Sequence, residues 1–189
     1  MRRWGRTLIG IAIFRSSLGA LILAVLSLEI GNSMLIALGA FALAQVSDHV
    51  DGWIARHHSS PSVAGYLQDS ISDKLLHFGC LLGLGVYFPF VHVMLWLVIA
   101  RELVLMGLRV VAINIREAFG EFRPYSVAYA VLLRTGIVAF FVSDLVPSDN
   151  ISISCVTLGH VLIGLAVLFG IGSNVLAFRS CRISGFRQE

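Results

Sequence analysis

Six apolar stretches, each about as long as a membrane-crossing helix, occupy most of the chain. A helix needs about 20 mostly apolar residues to cross the hydrocarbon core of a bilayer. The stretches are residues 8–27, 34–55, 63–87, 91–113, 125–144 and 151–178. Because 57% of the 189 residues are hydrophobic and only 13% are charged, the composition excludes a water-soluble domain. The sequence predicts an all-α integral membrane protein with six transmembrane helices in one domain, residues 1–189.

The arginines are distributed unevenly between the ends of these stretches. The arginines outside the stretches precede the first, follow the second, lie between the fourth and the fifth and follow the sixth. The opposite turns, near Glu29, Pro89 and Pro147, carry no lysine or arginine. Since cytoplasmic loops are enriched in these residues, both termini and the loop after the second stretch are predicted to be cytoplasmic. The net charge of +3 therefore reflects the arginines at the predicted cytoplasmic ends and does not indicate nucleic-acid binding.

The first stretch is expected to be a transmembrane helix that stays in the protein. Its apolar run is long, and no small-residue cleavage site of a signal peptide precedes a soluble region. The predicted location is a cell membrane of the bacterial type.

Four aspartates lie within the second and third apolar stretches: Asp48, Asp51, Asp69 and Asp73. One ionised carboxylate near the centre of a bilayer costs roughly 2.5–3.5 kcal/mol, so four require a strong compensating partner. Within each stretch the two aspartates are three or four residues apart, which places them on one face of a helix. A short loop joins the two helices, so we expect an antiparallel hairpin in which the acidic faces meet.

The hairpin places the carboxylates in the cytoplasmic half of the membrane. At about 1.5 Å per residue, Asp51 and Asp69 both lie roughly 8–10 Å below the loop. Gly52 and Gly65 lack side chains, which allows the helices or a ligand to approach closely. Carboxylate oxygens suit Mg²⁺ or Mn²⁺, and four carboxylates are enough to hold two ions.

Many enzymes that catalyse displacement reactions at phosphorus use two neighbouring divalent ions. Arg56 lies one turn from the acidic residues, at the membrane interface, where a guanidinium can bind a phosphate. The residues therefore indicate Mg²⁺-dependent phosphoryl or substituted-phosphoryl transfer at the membrane surface.

The acidic residues belong to a longer pattern of fixed spacing. It reads Asp48-x2-Asp51-Gly52-x2-Ala55-Arg56-x8-Gly65-x3-Asp69-x3-Asp73. The pattern resembles the signature of the CDP-alcohol phosphotransferase family, and every fixed position is filled. The resemblance extends over the whole chain, because family members are commonly six-span proteins of similar length. It implies transfer of a phosphatidyl-type group from CDP-diacylglycerol to an alcohol, with release of CMP, in glycerophospholipid synthesis.

The resemblance also implies a role for each residue of the pattern. Two Mg²⁺ ions would be bound by Asp48, Asp51, Asp69 and Asp73. Asp73 would in addition be the general base that removes the proton of the acceptor hydroxyl. The CDP moiety would be contacted by Gly52, Arg56 and Ser62.

Two further segments are similar to phosphatidylglycerophosphate synthases, whose acceptor is glycerol 3-phosphate. They are Asp73-Lys74-Leu75-Leu76 and Ile99-Ala100-Arg101-Glu102-Leu103. An acceptor with its own phosphate needs additional cations facing the pocket. The candidates are Arg101, Arg109, Arg116, Arg123 and Arg134. The alternative is the same chemistry with phosphatidylglycerol, inositol phosphate or serine as the acceptor.

Several residues have a structural interpretation beside the functional one. Arg101 and Glu102 can form a buried ion pair that fixes helix packing. Arg15 and Arg134 can line the pocket, or they can pair with an acid or reach the interface. His77, one turn beyond Asp73, is a further candidate for lining the site.

Two alternatives concern the protein as a whole. Gly79-x3-Gly83 fits a close helix contact, which we interpret as the seam of a homodimer. The competing function is a small cation carrier, with the acids forming an ion path. A carrier is expected to place acids across the depth of the bilayer and to show paired repeats. The aspartates lie in one membrane half and the chain shows no internal repeat, so the enzyme hypothesis is preferred.

Overall fold

The structure is a computed structural model that describes the backbone of residues 2–29, 31–58, 63–111 and 123–185. Side chains are described for residues 9–29, 31–50, 53, 70–107 and 124–179. All regular secondary structure in these ranges is helical. The helices are α1 (Arg2–Ser27), α2 (Ser33–His58), α3 (Val63–Tyr87), α4 (Val91–Val111), α5 (Arg123–Ser143) and α6 (Asp149–Gly185). They coincide with the six predicted apolar stretches, which confirms the all-α fold.

Four helices of the described chain contain segments long and apolar enough to cross a membrane. The segments are Ile9–Ser27, Ser33–Val50, Pro124–Ser143 and Asp149–Arg179. Their apolar side chains remain largely exposed on the protein, as expected for helices surrounded by lipid. The protein is therefore an integral membrane protein, as its composition indicates.

The helices end where the sequence supplies breakers. Pro89 lies between α3 and α4, Pro147 precedes α6, and Pro124 occupies the first turn of α5, where the backbone N–H has no helical acceptor. The turn from α1 to α2 contains Glu29 and Asn32, whose φ angles of 49° and 61° lie in the left-handed region. These two residues let the chain reverse within a few positions.

The helices form two compact units. The first contains α1, α2 and α3 and comprises Met1–Pro89 together with Asp144–Pro147. Within this unit α1 packs against both α2 and α3, whereas the described residues of α2 and α3 contact each other much less. Among the described residues, the principal neighbour of each acidic helix is therefore α1, a packing that the expected hairpin did not include.

The close contact between α1 and α3 depends on glycines. A Cβ on Gly19 would lie 2.9 Å from the backbone oxygen of Leu75, and a Cβ on Gly83 would lie 2.7 Å from Leu26 Cδ1. Gly79 lies directly against Gly19. The interpretation of Gly79 and Gly83 as a homodimer seam is therefore wrong, because α1 of the same chain already occupies that face. The homodimer itself stays a prediction.

The second unit contains α4, α5 and α6 and comprises Phe90–Ser143 together with Ser148–Glu189. Its most extensive interface joins α5 to α6, and α4 packs against α6. The His160 ring lies 4.9 Å from the Phe140 ring and 5.6 Å from the Phe90 ring, measured between centroids. His160 is thus a packing residue of this unit.

Candidate active site

The two helices that carry the acidic pattern belong to the first unit. Asp48 lies on α2 and Asp73 on α3, and the side chains of both are described. The other predicted site residues of these two helices and of their loop lie where the structure describes no side-chain environment: Asp51, Gly52, Arg56, Ser62 and Asp69. The same holds for the predicted acceptor contacts Arg109, Arg116 and Arg123. The proposed convergence of four carboxylates therefore stays a prediction.

Asp48 pairs with an arginine from the first helix. Arg15 Nη1 lies 3.1 Å from Asp48 Oδ1, and the Arg15 side chain is 0% exposed whereas that of Asp48 is 25% exposed. An arginine inside an apolar helix needs an anionic partner, because an isolated charge is costly there. The pairing interpretation of Arg15 is confirmed, and α1 contributes a charged group to the acidic site.

The partner of Arg15 has a signal in the sequence. Arg15 lies seven residues from one end of the stretch 8–27, and Asp48 lies seven residues from one end of the stretch 34–55. The arginine distribution predicts that both of these ends are cytoplasmic. Each residue is therefore predicted to lie about 10 Å from the same membrane surface. Matching the depths of opposite charges therefore makes Asp48 a candidate partner of Arg15, but Asp69, six residues from the start of the stretch 63–87, matches as well.

Asp73, the predicted base, has an imidazole beside it. His77 Nδ1 lies 3.8 Å from Asp73 Oδ2, which is longer than a hydrogen bond. The His77 side chain is 6% exposed and its ring is tilted on Phe41, with 6.3 Å between centroids, whereas the Asp73 side chain is 29% exposed. The structure thus places His77 next to the predicted base.

The only lysine of the chain also lies near Asp73 in sequence. Lys74 Nζ donates a hydrogen bond to Ser70 Oγ, 2.9 Å away, one turn earlier on α3. Among the described residues, the two partly exposed aspartates of the pattern thus each have a basic side chain beside them, Arg15 at Asp48 and His77 at Asp73.

The donor chemistry fits a hard divalent cation. Both described carboxylates are partly exposed, and carboxylate oxygen is the ligand that Mg²⁺ prefers. No group of three His, Cys, Asp or Glu residues that could hold a metal occurs among the described residues. A complete metal site requires the side chains of Asp51 and Asp69 as well.

A second polar cluster lies in the unit formed by α4, α5 and α6. Arg101 pairs with Glu102, and its Nη2 donates a hydrogen bond to Ser173 Oγ at 3.2 Å. Asn174 Nδ2 donates to the Arg101 backbone oxygen at 3.0 Å, and the Arg101 guanidinium lies 4.0 Å from the centre of the Tyr129 ring. This cluster joins all three helices of the unit.

The cluster bears on the predicted acceptor contacts. Arg101 and Glu102 are each only 5% exposed. Of the two interpretations of Arg101, the structure therefore shows the buried ion pair with Glu102. Arg134, the other described candidate, is half-buried on α5. Contact of either arginine with an acceptor stays a prediction.

Long apolar helices, with a charged pair in each of the two units, define an integral membrane protein. The sequence model of the CDP-alcohol phosphatidyltransferase family matches residues 9–172. The match includes the whole acidic pattern and parts of both units. The chain belongs to this family.

Curated relatives carry a more specific name. The chain is 37% identical over 87 residues to the CDP-diacylglycerol--glycerol-3-phosphate 3-phosphatidyltransferase of Mycoplasma genitalium, covering 46% of this chain and 37% of the relative. It is 38% identical over 88 residues to the protein of that name from Rickettsia felis, covering 45% and 48%. A Rickettsia typhi protein of that name is 28% identical over 163 residues, covering 84% and 88%. The matches thus span less than half the length of the first two relatives and most of the third.

Proposed function

We propose that this protein transfers the phosphatidyl group of CDP-diacylglycerol to glycerol 3-phosphate and releases CMP, as a step of glycerophospholipid synthesis. The observation that carries the proposal is the complete acidic pattern, from Asp48 to Asp73, inside the segment that matches the family. The acceptor follows from the relatives, which are named for glycerol 3-phosphate.

The transfer exchanges one bond at phosphorus for another. The bond between the phosphatidyl phosphorus and the oxygen that bridges it to CMP breaks, and CMP leaves with the electron pair. The acceptor hydroxyl oxygen forms the new bond, and its proton passes to Asp73. The partial exposure of the Asp73 side chain supports this role, because a base must approach within about 3 Å of the hydroxyl.

The remaining roles extend the proposal to the rest of the pattern. Mg²⁺, or Mn²⁺ in its place, is bound as two ions by Asp48, Asp51, Asp69 and Asp73. When bound, the ions neutralise the phosphate oxygens and the leaving group. The CDP moiety contacts Gly52, Arg56 and Ser62. The phosphate of the acceptor is held by cations drawn from Arg101, Arg109, Arg116, Arg123 and Arg134.

The proposed topology has six transmembrane helices in a single domain, with both termini and the active site on the cytoplasmic side. The lengths of α3 and α4, 25 and 21 residues, support it, because they correspond to about 37 and 31 Å and the bilayer core is about 30 Å thick. A homodimer completes the proposal. Labelling of cysteines added at the termini, in sealed vesicles of known orientation, tests the topology, and light scattering of the purified protein tests the dimer.

The decisive experiment measures CMP release by the purified protein with CDP-diacylglycerol and Mg²⁺. Glycerol 3-phosphate, phosphatidylglycerol, inositol phosphate and serine are compared as acceptors. Release with glycerol 3-phosphate alone is the expected result. Release with another alcohol instead overturns the acceptor assignment, and absence of release with any alcohol overturns the proposed reaction.

A further inference from the structure

Arg15 lies outside the family pattern of residues 48–73, yet the structure pairs it with Asp48, the first aspartate of that pattern. Its side chain is fully buried, so it cannot reach the membrane surface or touch a substrate in this arrangement. Its partner Asp48 is predicted to bind metal under the proposed function, on which this inference rests. Any effect of the Arg15 guanidinium on metal or substrate is therefore exerted through the Asp48 carboxylate.

We propose that Arg15 is the resident counter-cation of Asp48: it neutralises this carboxylate when no divalent metal is bound and holds α1 against α2 in that state. Neighbouring carboxylates repel one another, and a partly buried carboxylate without a cationic partner is strongly destabilising. A divalent cation supplies positive charge to the same carboxylate. The contribution of Arg15 to stability is therefore largest in the metal-free protein.

The packing of α1 supports a fixed position for the guanidinium. Arg15 and Gly19 are four residues apart and share the face of α1 that contacts α3. The Gly19 backbone lies against the backbone of Leu75 and Leu76, so this segment of α1 has little room to shift. Arg15 is consequently held opposite Asp48 by backbone packing as well as by charge.

If the Arg15 side chain only fills space, a different result is expected. Loss of packing lowers the stability of the metal-free and the metal-bound protein by similar amounts. Loss of a counter-cation lowers the stability of the metal-free protein more, because bound Mg²⁺ compensates for the missing charge. The metal dependence of the stability loss therefore separates the two roles.

The experiment is thermal unfolding of the purified full chain in detergent, with chelator and with saturating MgCl₂. Arg15→Met keeps most of the side-chain volume and removes the charge. With chelator, its unfolding temperature is expected to fall by roughly 6–20 °C below that of the unaltered protein. With MgCl₂ the difference in unfolding temperature is expected to fall to less than half of its value in chelator. The matched control is Leu26→Ala, a fully buried change on the same face of α1 whose effect should not depend on Mg²⁺.

A difference that stays constant or widens in MgCl₂ overturns the proposal. The double variant Arg15→Met/Asp48→Asn provides a second arm, which applies even where Arg15→Met alone does not fold. Removal of both charges is expected to restore at least half of the loss in chelator, because the negative charge that Arg15 neutralises is then removed as well. A double variant as unstable as Arg15→Met, or one that also fails to fold, contradicts the proposal.

The outcome is independent of the CMP assay. If CMP is released but Mg²⁺ does not change the difference, the proposed function stands and this inference fails. If Mg²⁺ closes the difference in a protein that releases no CMP, the inference stands and the proposed reaction fails.

Discussion

Gly79 on α3 lies directly against the backbone of Gly19 on α1. A Cβ added at Gly79 would fall 2.8 Å from the Gly19 carbonyl carbon and closer still to its oxygen. The opposing atoms belong to the backbone and cannot rotate away. This crossing sets the distance between the helix that carries Asp73 and the helix that carries Arg15.

Gly79→Ala is expected to lower the free energy of unfolding by about 1–3 kcal/mol, because the two helices must separate to admit the methyl group. Thermal unfolding in detergent measures the change. Gly39→Ala on α2 is the matched control, since a Cβ there meets no atom within 4 Å and the effect should stay within about 0.5 kcal/mol. Equal stability of the two variants would contradict the close crossing.

Asp73→Asn is expected to reduce kcat for CMP release by at least about 100-fold, the lower end of what general base catalysis supplies. The amide cannot accept the hydroxyl proton and is a poorer metal ligand than a carboxylate. The control is Asp149→Asn, an exposed change in the first turn of α6 that should leave kcat unaltered. Full activity of Asp73→Asn would exclude this residue as the base.

Arg101→Lys is expected to destabilise the protein by about 1–3 kcal/mol. Lysine keeps the charge but cannot replace the planar fork that contacts Glu102 and Ser173 and stacks on Tyr129. Unfolding and acceptor titration are measured on the same preparation, with the exposed Arg179→Lys as control. A raised KM at unaltered stability would instead assign Arg101 to the acceptor site.

Chelation of divalent metal is expected to reduce CMP release by at least about 100-fold, since the ions are expected to contribute several kcal/mol to stabilising the transition state. Added Mg²⁺ or Mn²⁺ should restore the activity. Ca²⁺ should restore much less, because it prefers longer bonds and more ligands than a compact site of carboxylates and phosphate provides. Activity that persists in chelator would argue against the metal role of the aspartates.

The helices of this protein could be predicted from the sequence because helix formation here depends on local properties. Apolar runs of membrane length, with Pro89 and Pro147 between them, set the observed helix positions within a few residues. The acidic pattern is equally local, because its spacing alone assigns the aspartates to common helix faces and to a family.

The packing of the helices could be predicted only in part. Spacing indicated that Gly79 and Gly83 make a close contact, but a second copy of the chain and α1 are equally good partners for such a surface. Arg15 likewise had several possible partners, and the described structure selects Asp48 at 3.1 Å.

The sequence by itself determined the membrane class, the helix positions and the acidic pattern of the CDP-alcohol phosphatidyltransferase family. Only the tertiary structure decided that α1 is the principal neighbour of both acidic helices and brings a buried arginine to Asp48. The physical reason is that helix formation depends on neighbouring residues in the chain. The choice of which faces meet depends on small residues and opposite charges that are distant in sequence and must match in depth.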